Sequence, residues 1–101
     1  MADSPAFAWL CRELEVATSL DRLESRGTVR IALKNAGLEA GTVRPDQMRV
    51  VIERLLPEEL RARGVEGREA LCARWASEVE AVVSDGGPET PDEVFQRIGS
   101  A

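Results

Sequence analysis

Hydrophobic positions in this chain recur at helical spacing almost throughout, and only turn residues interrupt them. Met48, Val51, Ile52 and Leu55 fall at i, i+3, i+4 and i+7, with Arg49, Glu53 and Arg54 on the other side, an amphipathic helix. Pro45 takes its first position and Gln47 its third, and Val43 and Met48 are placed for a hydrophobic staple. Pro57 removes an amide donor and disfavours helix at Leu56, so the helix kinks or restarts there. In L-R-A-R-G-V the restarted helix ends in a Schellman pattern, Gly64 at C′ and Val65 reaching Leu60.

The same logic places the other helices. Ser4-Pro5 opens the first one as N-cap and N1. Its apolar residues form two stripes: Phe7, Leu10, Cys11, Leu14 and Ala17 on one face, Trp9, Val16, Leu20 and Leu23 on the opposite one. Either the helix is covered on both sides, or it breaks near Thr18-Ser19, where Thr18 followed by Asp21 re-caps a new helix. Gly27 is expected to end this segment and Thr28 to cap the next, whose ending N-A-G-L puts Gly37 at C′ and folds Leu38 back on Leu33. Residues 67–84 form a helix with Leu71, Cys72, Trp75, Ala76, Val79, Val82 and Val83 on one side. S-D-G-G-P-E breaks the pattern, and Thr90-Pro91 with Glu93 starts a short last helix whose Val94, Phe95 and Ile98 must dock on the core or on a partner.

The fold class is therefore all-α: a small bundle of four to six helices around one core, with a short C-terminal helix after a Gly-Gly-Pro hinge. The chain divides into a main bundle over 4–84, a linker over 85–89 and the last helix over 90–99. At 101 residues there is room for one core, and a domain of this size has a thin stability margin that a partner subunit would raise. With four aromatic residues and no Tyr, that core must be mostly Leu, Val and Ala, which favours helices.

Charge narrows the functional classes. The net charge of −5 argues against non-specific nucleic-acid affinity, yet residues 22–74 carry a local excess of three positive charges. Within them, residues 28–56 read as helix, connection, helix, and Arg30, Lys34, Arg49 and Arg54 would be the phosphate contacts of a DNA-binding regulator. The connection over Gly37 to Arg44 is longer than the 3–4 residues of a helix-turn-helix, and Asp46 at the start of the second helix repels phosphate.

Candidate chemistry is sparse. There is no His, the usual acid–base residue and the usual base for a thiol nucleophile, and Cys11 and Cys72 are too few for a thiolate zinc site. Both thiols lie on apolar faces, and Glu58-Glu59 and Asp92-Glu93 sit where helix capping explains them. No nucleotide-binding, hydrolase or calcium-loop motif is present, so neither a cofactor, a metal nor catalytic activity is expected. T-S-L-D at Thr18–Asp21 resembles, in two residues, the D-S-L motif of small acidic four-helix carrier proteins, whose serine bears a phosphopantetheine arm. That resemblance implies attachment at Ser19, although Thr18 replaces the family's Asp and no long loop precedes it.

With no apolar run near the ~20 residues a membrane span needs and an acidic start unlike a secretory leader, the expected setting is the cytoplasm. The expected function is a small non-catalytic interaction or regulatory module, self-associating or binding another protein. Its interface is expected on Trp9, Val16, Leu20 and Leu23 and on Val94, Phe95 and Ile98.

Overall fold

A computed structural model describes residues 3–86, with burial defined through Val82. It contains five α-helices and no strand among the described residues: α1 (Pro5–Ala17), α2 (Arg22–Asn35), α3 (Pro45–Arg54), α4 (Leu56–Ala62) and α5 (Arg68–Gly86). The all-α bundle expected from the periodicity is the observed architecture. The expected linker over 85–89 begins inside α5, which runs to Gly86; the remainder of that linker and the short helix over 90–99 lie outside the described residues.

Local chemistry accounts for most helix ends. Ser4 caps α1, its hydroxyl accepting from the Phe7 amide at 3.2 Å, with Pro5 behind it at N1. The Ser4 amide donates to the Ala40 carbonyl at 2.8 Å and so ties the start of α1 to the α2–α3 connection. Gln47 reaches back to the Arg44 amide at 3.0 Å, and Val43 and Met48, the two staple residues, are both buried. Leu38 donates to the Leu33 carbonyl at 2.9 Å and Gly37 to Lys34 at 3.0 Å, the paired bonds of a Schellman turn, with Gly37 at φ 75°. Val65 to Leu60 and Gly64 to Arg61, each at 3.0 Å, repeat the device after α4. At Leu55 the central helix ends, and α4 restarts with Pro57 in its first turn.

Two local expectations are corrected. The first double-faced segment does break at Thr18, but Thr18 is the C-cap of α1 rather than the N-cap of the next helix: its hydroxyl donates to the Leu14 carbonyl at 2.6 Å and accepts from the Leu20 amide at 3.1 Å. Asp21 is the N-cap of α2, accepting from the Glu24 amide at 2.7 Å while Glu24 accepts from the Asp21 amide at 3.0 Å, a complete capping box. Gly27 does not stop that helix. It lies inside α2, and Thr28, expected as a cap, is a buried helical residue whose hydroxyl donates to the Glu24 carbonyl at 2.7 Å and accepts from Arg63. The capping box upstream and the burial of Val29, Ala32 and Leu33 outweigh the roughly 1 kcal/mol that a glycine costs within a helix.

The core closes between two antiparallel helix pairs. α1 packs on α2, α3 packs along α5, and α1 also meets α5, while α4 bridges α2, α3 and α5. Phe7, Leu10 and Leu14 from α1, Met48 and Ile52 from α3, Leu56 and Leu60 from α4, and Trp75 and Val79 from α5 are fully buried. Trp75 is the largest of them, and its indole N–H donates to Glu13 Oε1 at 3.2 Å, which satisfies the one polar atom that its burial removes from water. Arg26 and Arg30 stand over the Phe7 ring, 5.2 and 5.5 Å from its centroid, and both pair with Asp3.

Candidate interaction surface

The short turn over Thr18 to Asp21 is flanked by the most exposed large apolar side chains of the described residues. Val16, in the last turn of α1, and Leu23, in the first turn of α2, are each 80% exposed. Leu20 lies between them in sequence and is half-buried against the core, as is Trp9. Of the four residues expected to form one apolar face, two are thus directed to solvent and two lean inward. The break at Thr18 is the cause, since it turns Leu20 and Leu23 off the α1 axis. Glu15 and Arg22, the exposed neighbours of the two apolar residues, give the corner a charged edge. Ser19 is exposed in the same turn, with the 13-residue α1 and no long loop before it.

A second apolar surface was not expected from the periodicity. Val50 is 50% exposed and, with Leu38, Val51 and Leu55, lines a groove of about 360 Å³ between α3 and the end of α2, with Gln47 and Arg54 as its polar lining. The available signal was Val50 itself, an apolar residue standing off the Met48–Leu55 stripe. Of the other residues expected at an interface, Val94, Phe95 and Ile98 lie outside the described residues.

Charged side chains are largely paired with one another. Arg49 donates to Glu53 at 3.3 Å and to Glu80 at 3.1 Å, and these two carboxylates raise its pKa further. Arg30 is drawn to Asp3, at 3.9 Å, and to the Phe7 ring. Lys34 and Arg54, the other two residues considered for phosphate contact, are exposed and have no acidic partner among the described residues. Asp46 is held by Arg44 at 3.1 Å, which lowers its carboxyl pKa. The adjacent acids Glu58 and Glu59 pair with Arg61 and Arg63 along α4.

Two further clefts have mixed polarity. One of about 410 Å³ lies between α3 and α5, where Arg49 and Glu53 face Glu69, Cys72 and Ser77. The other, about 320 Å³, lies between α1 and α2 and gathers Arg12, Arg22 and Arg26 around Glu15 and the buried Cys11. Burial pushes both thiols up to about 11, so at neutral pH they are un-ionised and chemically quiet. No group of three or more metal-binding side chains occurs among the described residues, and no helix among them is long and apolar enough to cross a membrane.

By architecture the chain is a small all-α bundle. No family model matches it, and no curated protein or solved structure matches it significantly.

Proposed function

We propose that this protein is a small non-catalytic module of the cytoplasm that works by binding protein, a second copy of itself or another chain, through the α1–α2 corner. The observation that carries this reading is the pair Val16 and Leu23, both 80% exposed on either side of one four-residue turn. Single exposed apolar residues are ordinary on any surface, but two at one turn with charged neighbours have the composition of an interface centre and its rim. Neither side chain is needed by the fold, because Thr18 and the Asp21–Glu24 box hold the turn without them. The quiet thiols and the internally paired carboxylates support a binding role over a catalytic one.

The test replaces both residues, V16E/L23E, in the full chain. Unchanged helicity and melting temperature would establish that the fold is untouched. Wild type should then sediment as a dimer that the variant loses, or retain from its source cell a defined partner that the variant does not retain. Identical sedimentation together with an identical set of co-purified proteins would overturn the reading.

A further inference from the structure

We infer that this bundle associates head to tail, the α1–α2 corner of one copy seating in the groove around Val50 of the next. The inference rests on the corner being a binding surface; it names the partner as a second copy of this chain and the receiving surface as the groove.

The two surfaces lie at opposite ends of one helix. Leu23 stands in the first turn of α2, and the groove starts at Ala36 and Leu38, just past its last turn. The 14 residues between those ends span about 21 Å at 1.5 Å per residue, so a chain cannot seat its own corner in its own groove. A second copy can. The corner offers two apolar side chains, 80% exposed, on either side of a tight turn. The groove, about 360 Å³, is lined by Leu38, Val50, Val51 and Leu55, with Gln47 and Arg54 as its polar edge. Of the five large apolar side chains exposed among the described residues, Val16, Leu23 and Val50 would be covered by this single contact.

Charge sets the direction. Glu15, Asp21 and Glu24 at the corner, and Lys34 and Arg54 at the groove end, make no ion pair among the described residues. The last turn of α1, which ends at the corner, holds no basic residue, so the negative end of its dipole is also unanswered there. Two corners brought together would face these acids with their own copies, whereas the groove end meets them with cations. Arg12 and Arg22 share a cleft with Glu15, and Glu39 follows Leu38. The match therefore orients the contact, while apolar burial supplies its strength. Because the two surfaces differ, each dimer keeps one corner and one groove open, and rows lengthen as concentration rises.

Sedimentation velocity on mixed variants of the full chain tests the contact. V16E/L23E keeps the groove and V50E keeps the corner; Val50 is half-exposed, so V50E spares the core, which circular dichroism checks. Each variant alone should be monomeric at concentrations where wild type associates. Their equimolar mixture should regain one contact and stop at a 1:1 dimer. Adding R54E to the V16E/L23E chain should weaken that mixed dimer roughly two- to fivefold, the range of an exposed ion pair, and the difference should shrink as salt rises. A mixture that stays monomeric would overturn the inference. So would a V50E chain that associates as wild type does; loss of association in V16E/L23E alone would then keep the corner reading, with corner meeting corner. A wild type that stays monomeric throughout overturns the head-to-tail contact and leaves the corner to its co-purification test.

Discussion

Replacing Gly27 by Ala should stabilise the protein, while the same replacement at Gly37 should destabilise it. Gly27 is the sixth residue of α2, its φ is not positive, and a Cβ built there meets nothing within 4 Å. An alanine in a helix interior is favoured over glycine by about 1 kcal/mol, part of it through the lower entropy of the unfolded chain. Gly37 is equally uncrowded but holds φ 75°, where a Cβ costs roughly 1–2 kcal/mol. The two variants should therefore lie on either side of wild type, about 2 kcal/mol apart. For a domain of about 100 residues, where 1 kcal/mol moves Tm by roughly 4–8 °C, the separation is on the order of 10 °C. Thermal unfolding followed by circular dichroism, with urea titration for the free energies, measures both. If Gly27 instead ended a helix in the left-handed conformation, its alanine variant would lose stability as the Gly37 variant does. A drop in Tm for G27A would refute a continuous α2, and with it the placement of Thr28 inside that helix.

Two other predictions concern buried groups. Glu13→Ala should cost about 1–3 kcal/mol by leaving the buried Trp75 N–H without an acceptor; in a W75F background the same change should cost well under half as much, and equal costs in the two backgrounds would deny the coupling. Cys11 and Cys72, whose thiol pKa burial pushes up to about 11 in the fold against about 9 for a free thiol, should resist alkylation at pH 8 until the protein unfolds. Because the folded pKa is the higher one, their contribution is intact below pH 9 and fades as pH rises from 9 to 11, by at most about 1.4 kcal/mol per thiol per pH unit. With no His in the chain, the urea midpoint should be flat from pH 6 to 8 and fall above 9; rapid native-state alkylation or a flat alkaline limb would refute the burial of the thiols.

What the sequence revealed and what it concealed divide by range of interaction. The cap at Ser4, the staple of Val43 and Met48, the two Schellman endings and the restart at Pro57 are all made by residues within five positions of one another, so their signatures are complete in a short window. Gly27 followed by Thr28 carries the same local signature as a helix junction. What keeps α2 continuous there is the burial of Val29, Ala32 and Leu33 against other helices and the contact from Arg63, 35 residues away, none of which is local. The arginines show the same limit. Arg30 and Arg49 stand on solvent-facing sides of their helices by spacing alone, while their partners Asp3 and Glu80 lie 27 and 31 positions away. The candidate surface was half legible: Val16 and Leu23 are outward as the helical wheel places them, but the turn at Thr18 draws Leu20 inward and the packed neighbours of α1 partly cover Trp9.

That division bears on function, because a residue that neither local structure nor the core uses needs another account. Leu20 illustrates the ordinary case: it sits in a turn, packs against the core, and its apolar character is explained by the fold. Val16 and Leu23 fail that account on both levels. Each could be polar without disturbing a cap, and neither is buried, so replacing them with charged residues would leave the transfer free energy of folding almost unchanged. The helical scales even argue for replacement at position 16, since β-branched Val is a poorer helix former than Glu or Lys at an exposed site. Two apolar side chains on either side of one solvent-facing turn, at no gain to the helix or the core, are the physical basis for proposing the corner, rather than the mixed clefts, as a surface that a complex would bury.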